Sequence, residues 1–272
     1  MAQIGLINYN LGGRTLEEVI DFAAETGFTH IEIAARDVWK DNEGQSIDEG
    51  KRRAEEVKAK LDAAGMRLSA LSAGNDFLVR SGDEMERQIA RLRQVLEIAK
   101  IFECDMLRAD GGWAKEGVPE EKWFDLMVDG FKRLRDVVEP AGVKVALDNH
   151  GIVTNDADLQ IRIFEAVGSP NLGANVDTMN YRWAGHDLET VGRFYKIIAP
   201  YAFHVHLKDG KGSRSEYVGL ALGEGEIDLK GAVDALVAAG YKGVWTVEYE
   251  GRTDPLEGYR KGYEWVKANV PV

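Results

Sequence analysis

Cysteine is nearly absent from this chain of 272 residues. Cys104 stands alone, so no intrachain disulfide can form and no Cys-rich zinc site can be built. Placed between a helix and a strand, Cys104 reads as buried filler. Positive charge is also scarce: 34 Lys+Arg face 46 Asp+Glu, a net charge of −12, with only five histidines. That excludes a polyanion-binding surface, which needs clustered Lys and Arg. No run of about 18 apolar residues exists to span a bilayer. The segment Met1-Ala2-Gln3-Ile4-Gly5 lacks the basic and apolar regions of a signal peptide, so the expected location is cytoplasmic. No Pro/Gly/Ser-rich linker interrupts the chain, which has only six prolines, and residues 1–272 read as one domain. With 44% hydrophobic and 29% charged residues, the composition is that of a soluble globular protein.

What the sequence does contain is alternation. Short apolar runs begin near Ile4, Thr29, Arg67, Asp105, Val143, Leu172, Ala202 and Val244, with one amphipathic stretch expected in each interval. Thr15-Leu-Glu-Glu18 and Ser46-Ile-Asp-Glu49 read as capping boxes that start helices. Leu16, Val19, Ile20 and Ala23 share one helix face, as do Met85, Ile89, Leu92, Leu96 and Ala99. Gly27, Gly65, Gly142, Gly168 and Gly240 each precede a strand, where glycine lets a chain leave a helix with φ > 0. Eight successive βα units predict a single (β/α)8 TIM barrel, a fold of about 250 residues. A doubly wound open sheet is the alternative, but Asn10-Leu-Gly-Gly13 after the first strand lacks the G-x-G-x-x-G spacing that usually accompanies it and reads as a plain turn.

In such a barrel the chemistry belongs to the C-terminal strand ends. Strand five ends in Asp148-Asn-His150, strand six in Asp177, strand seven in His204-Val-His206-Leu-Lys208, and strand eight in Glu248-Tyr-Glu250. If Leu147, Val205, Leu207 and Val247 pack outward, then Asp148, His204, His206 and Glu248 point inward, because side chains alternate along a strand. Carboxylates converging on one low-dielectric space repel one another unless neutralised, and a divalent cation is the simplest neutraliser. Three carboxylates and one imidazole suit Mn²⁺, Mg²⁺ or Co²⁺ better than a closed structural zinc site. His204, deeper than His206, is expected in a hydrogen-bonded core role. His30 and His186 share no strand end with carboxylates and read as structural or exposed.

With these residues the sequence resembles the sugar phosphate isomerase/epimerase family of the xylose-isomerase-like barrel superfamily, over essentially the whole chain. The matching segments are Leu147-Asp-Asn-His-Gly151, Asn175-Val-Asp177, His206-Leu-Lys-Asp209, Leu222-Gly-Glu-Gly-Glu-Ile-Asp228 and Thr246-Val-Glu-Tyr-Glu250. The resemblance implies one divalent cation held by Asp148, Asp177, His206 and Glu248, with Mn²⁺ first and Mg²⁺, Co²⁺ or Zn²⁺ as alternatives. It also implies a keto sugar or inositol-derived polyol as substrate. Where relatives usually carry Glu on strand five, this chain has Asp148, shorter by roughly 1.3 Å, about one bond length. Either the metal shifts toward strand five or Asp148 binds through water, and symmetrical two-base epimerisation is put in question.

The chemistry expected of the site is metal-assisted removal of a proton next to a carbonyl, through an enediolate. Glu248 is the first candidate for the base, and Asp148 or His150 would return the proton. Lys208 is a candidate to hold a substrate oxygen, and Glu32, Asn75, Arg108 and Trp113 are candidate substrate-binding residues after strands two, three and four. The leading expectation is therefore a metal-dependent isomerase or epimerase of a keto sugar. The alternative is a lyase using the same proton abstraction on 3-keto sugars or glycosides, including C-glycosides. A DNA-repair endonuclease, also found in this superfamily, needs many His and a basic groove that the sequence lacks. The expected partner is a small carbohydrate, with no nucleic acid and no membrane; a homo-oligomer is left open.

Overall fold

Five of the barrel strands begin just after a glycine that releases a helix. In a computed structural model describing residues 2–271, β1 (Ile4–Ile7), β2 (His30–Ala34), β3 (Arg67–Ser72), β4 (Met106–Ala109), β5 (Lys144–Asp148), β6 (Leu172–Asp177) and β7 (Ala202–Leu207) alternate with helices. A hairpin of β8 (Asp209–Lys211) and β9 (Val218–Leu220) follows, then β10 (Trp245–Val247). Strands β1 to β7 and β10 pair in parallel around a closed eight-stranded ring, with β10 against β1 sealing it. The fold is a single (β/α)8 TIM barrel, and each barrel strand starts within one residue of its expected position.

Helices α1 (Leu16–Thr26), α2 (Ile47–Ala63), α3 (Gly82–Ile101), α4 (Trp123–Val138), α5 (Ala157–Val167), α6 (Asn180–Ala184), α7 (Leu188–Ile198), α8 (Leu229–Ala238) and α9 (Pro255–Asn269) connect and follow the strands. Both capping boxes form: Thr15 Oγ1 accepts from the Glu18 amide at 3.2 Å while Glu18 accepts from the Thr15 amide at 2.8 Å. Ser46 and Glu49 repeat this at the start of α2. Gly27 leaves α1 at φ 105°, a conformation costly for any residue with a Cβ. The other four helix-ending glycines also have positive φ.

Two departures from the expected one helix per interval lie on the second half of the barrel. The β6–β7 interval holds both α6 and α7, and the long β7–β10 interval holds the hairpin before α8. Strands of three residues carry too little alternation to be read from sequence. The hairpin is locked by Asp209, whose carboxylate accepts from the amides of Gly210, Gly223, Gly225 and Ile227 at 2.8 to 3.3 Å. The segments His206–Asp209 and Leu222–Asp228 are thus one loop unit that fixes the chain immediately after Lys208.

Between barrel and helices lies the apolar core. Val247 packs outward on α9, where Gly262 gives it room. Cys104 is buried, its thiol facing the Met106 carbonyl at 3.3 Å, and burial pushes its pKa up to about 12. Among the described residues no helix is long and apolar enough to cross a membrane.

Gly130 in α4 lies against Phe77, a fully buried ring packed edge-on against Phe131 at 4.9 Å. A Cβ at Gly130 would fall on the Phe77 ring well inside van der Waals contact. Gly130→Ala should therefore destabilise the protein by about 1–3 kcal/mol through overpacking. Helix propensity alone predicts the opposite sign, a gain of up to about 1 kcal/mol. A thermal melt decides by sign, and an unchanged or raised midpoint would contradict the packing argument.

Candidate active site

Strand register assembles the site. Asp148 pairs with Asn175, Asp177 with His206, and His206 with Thr246 across β5, β6, β7 and β10. Of these, Asp148 and His206 reach a mouth cavity of about 500 Å³ at the C-terminal strand ends, walled also by Glu32, Arg108 and Glu248 among others.

The deepest layer is a network of buried charges around Glu32, the third of five residues in β2. Arg108 Nε reaches Glu32 Oε1 at 2.5 Å, and His204 Nε2 and His206 Nε2 both face Glu32 Oε2, at 2.8 and 2.7 Å. Burial favours the neutral acid at Glu32, but Arg108 and His206 override it and hold the carboxyl well below its ordinary range. Arg108 continues outward, with Nη1 on Asp148 Oδ2 at 2.7 Å and Nη2 on Ser72 Oγ at 3.0 Å. Asn175 Nδ2 donates to the other Asp148 oxygen at 2.7 Å. Glu32 thus lines the floor of the cavity with both oxygens engaged by protein, as does Asp148 along its wall.

His206 is oriented by this network. Its Nε2 side belongs to Glu32, so Nδ1 faces Glu248 Oε2 at 3.0 Å. Burial disfavours charge on the imidazole, but Glu32 and Glu248 on its two sides raise the pKa to about 10. By contrast, burial lowers the pKa of His204 despite the pull of Glu32. Donor atoms of Asp177, His206 and Glu248 lie within 4.8 Å of one another and could hold a metal ion. Asp177 Oδ1 accepts the amides of Met179 and Asn180 at 2.9 and 2.8 Å, leaving Oδ2 directed at the site. Burial raises the Asp177 pKa to about 7, against the pull of Lys208. A metal ion fits this donor set: two carboxylates, an imidazole with its far nitrogen anchored on a carboxylate, and one buried carboxylate oxygen whose close partner is the Lys208 ammonium alone. Binding would displace the His206 proton, since a ligating imidazole nitrogen must be unprotonated.

Lys208 lies among these ligands rather than in the cavity wall. Its buried ammonium is 3.0 Å from Asp177 Oδ2, 3.1 Å from Glu248 Oε1 and 3.5 Å from Glu250 Oε1. Burial opposes its charge, but the three carboxylates hold its pKa well above the ordinary lysine value. In turn Lys208 and His206 overcome the burial of Glu248 and lower that carboxyl's pKa.

The remaining expected residues separate by depth. His150 and Trp113 face the cavity at its rim, their rings edge-to-face at 5.1 Å, with Trp113 47% exposed. His150 Nδ1 is 3.7 Å from Asp148 Oδ2. Asn75 is fully buried outside the cavity wall, where its amide clamps the backbone of Asp110 at 2.6 and 3.0 Å. His30 and His186 bond to Thr29 and to the Asn155 carbonyl, away from the carboxylates. Asn175 and Asn149 were not expected in the site. Asn175 is two residues before Asp177 and so shares its face of β6, a signal that period-two counting contains. Asn149 exchanges hydrogen bonds with the Asp177 backbone at 2.8 and 3.0 Å, tying β5 to β6.

Because Glu32 is the counter-charge for Arg108, Glu32→Gln would leave a buried guanidinium short of its partner. The expected cost is about 3–5 kcal/mol, the scale for breaking a buried ion pair. Trp113→Ala, at the exposed rim, should shift stability by no more than about 0.5 kcal/mol. Denaturant unfolding of both variants checks this, and a Glu32→Gln protein as stable as the parent would remove Glu32 from the organising role.

Comparison with known proteins places this architecture. An inosose dehydratase of Geobacillus thermodenitrificans is 29% identical over 171 residues, 54% of this chain and 55% of its own. The chain spans about half the length of the curated relatives it matches. A D-psicose 3-epimerase from Clostridium cellulolyticum, solved with D-tagatose, superposes with a TM-score of 0.79 at 14% identity, over 99% of this chain and all of the other. The IolI protein, solved with a zinc atom, gives 0.79 at 20% identity over 97% of each chain. The profile of the xylose isomerase-like TIM barrel family matches residues 20–269. With that span covering nearly all of the barrel, the chain belongs to the xylose isomerase-like TIM barrel family.

Proposed function

We propose that the protein is a divalent-metal-dependent enzyme that removes the proton next to the carbonyl of a keto sugar or related polyol derivative, acting as an isomerase or epimerase. The observation that carries this reading is the Asp177–His206–Glu248 trio, two of whose members, His206 and Glu248, wall a cavity large enough to admit a sugar. These three would hold the ion, with Asp148 as the fourth member of the expected set of three carboxylates and one imidazole. When bound, the ion would polarise the carbonyl and stabilise the enediolate, with Mn²⁺ first among the candidates and Mg²⁺, Co²⁺ and Zn²⁺ behind it. The zinc atom in the IolI structure supports a divalent ion in this fold.

Glu248 is the base. It lines the cavity, and the Lys208 ammonium at 3.1 Å keeps its carboxylate ionised and fixed. On the opposite wall Asp148 is poorly placed to carry a proton, because Arg108 and Asn175 hold its two oxygens at 2.7 Å each. His150 stands beside it with its ring open to the cavity. Its imidazole, which can both accept and donate a proton, serves as the second acid/base group.

That asymmetry also favours a second reading. A carboxylate base on one side and an imidazole acid on the other suit elimination, in which His150 protonates a departing substituent. The match over about half its length to an inosose dehydratase supports elimination chemistry, and under this reading the substrate is a 3-keto sugar or glycoside.

The two roles separate in one experiment on a panel of keto sugars with the metal-loaded protein. Glu248→Gln should lower both solvent deuterium exchange and product formation by at least about 10²-fold, the usual scale for a general base. His150→Asn should abolish product while leaving exchange detectable. A fully active His150→Asn protein beside an inactive, metal-loaded Asp148→Asn protein would return the proton transfer to Asp148.

A further inference from the structure

The mouth cavity extends well past the metal-ligand trio. His206 and Glu248 wall its inner end, whereas Arg36, Asn42 and Gln88 wall the other, beyond β2 and β3. In the closed ring β2 and β3 lie opposite β6 and β7, so the cavity crosses the whole mouth. A single hexose fills roughly 200 Å³ at the packing density of an organic solid. That is less than half of the roughly 500 Å³ present.

The outer end is supplied with free hydrogen-bonding groups. Arg36 and Asn42 are exposed and have no side-chain hydrogen-bond or ion-pair partner among the described residues. Gln88 uses only Oε1, on the Asp76 amide at 3.2 Å, leaving its amide donors open. Tyr9, 47% exposed, adds a flat ring between the two ends, near enough to Glu248, Glu250 and Arg36 to feel their charges, and is suited to the apolar face of a sugar. Arg91 in that wall is already committed, to Asp41 at 2.5 Å and the Ala73 carbonyl at 2.6 Å.

Charge narrows the ligand further. Glu32, Asp110, Asp148, Glu248 and Glu250 line the cavity, and Arg108 is spent on the first three of them. An anionic substituent would find Arg36 as its one uncommitted guanidinium, facing a field of carboxylates.

We propose that the substrate is an uncharged two-ring saccharide: a keto sugar whose reacting ring lies between Glu248 and Trp113, carrying a second glycosyl ring held by Tyr9, Arg36, Asn42 and Gln88. The identity of the reacting ring rests on the keto-sugar reading above; the two-ring requirement rests on the cavity.

Calorimetric titration of the Mn²⁺-loaded protein tests it without turnover. The probes are fructose, fructose 6-phosphate and the four glucosyl-fructoses joined through O3, O4, O5 and O6: turanose, maltulose, leucrose and isomaltulose. At least one disaccharide should bind about tenfold or more tighter than fructose, equal to about 1.4 kcal/mol. Fructose 6-phosphate should bind no tighter than fructose. Arg36→Ala combined with Asn42→Ala, both exposed positions whose folding a melt verifies, should remove most of the disaccharide's advantage. The proposal is overturned if no disaccharide binds more tightly than fructose, if the phosphate ester binds best, or if the double variant keeps the full advantage. Because binding is read directly, absence of proton exchange with every sugar would count against the enzymatic reading alone.

Discussion

A carboxylate buried without water must be matched by fixed positive charge, and Glu32 at the centre of the barrel imposes that requirement on everything above it. Arg108 answers it from β4 and then extends to Asp148, so the β5 carboxylate takes its position from the same guanidinium. His206 answers it from β7, and in doing so turns Nδ1 toward Glu248. The orientation of His206 toward Glu248 and the anchoring of Asp148 on Arg108 both follow from one buried charge. Lys208 plays the corresponding part on the other side, holding Asp177, Glu248 and Glu250 together where their mutual repulsion would otherwise spread them.

Much of this was legible in the sequence because its causes are local. Strand starts follow from glycine-terminated helices and from apolar runs of four to six residues, and the Thr15 and Ser46 caps follow from spacing alone. The clustering of Asp148, Asp177, His206 and Glu248 follows from their equivalent places at strand ends. What escaped depends on depth and on contacts distant in sequence. Glu32 reads as a rim residue after strand two, but it is in mid-strand, a layer below. Lys208 reads as a cavity residue because it follows His206, yet three carboxylates from two other strands draw it inward. Asn75 reads as a loop contact to ligand, and its amide is used up on the Asp110 backbone. The β8–β9 hairpin was invisible because its strands are too short for periodicity and its stability comes from Asp209 gathering amides up to 18 residues away.

The wall opposite Glu248 carries the chain's individuality. A longer carboxylate at position 148 could reach past Arg108 into the cavity, whereas Asp148 stays on the guanidinium and on Asn175. Its charge then serves the electrostatics of the floor, and the acid/base role proposed for that side falls to His150, whose side chain is exposed at the rim. The cavity's breadth and its acidic lining are the two features on which the proposed preference for neutral, two-ring ligands rests.

Solvent deuterium exchange into a keto sugar, measured by NMR with the protein loaded with Mn²⁺ and again after chelation, tests the central claim most directly. The account predicts deuterium at the carbon next to the carbonyl with the loaded protein, and its loss on chelation with recovery when Mn²⁺ is restored. Exchange that persists undiminished in the chelated protein, or none across the keto-sugar panel at full metal occupancy, would contradict it.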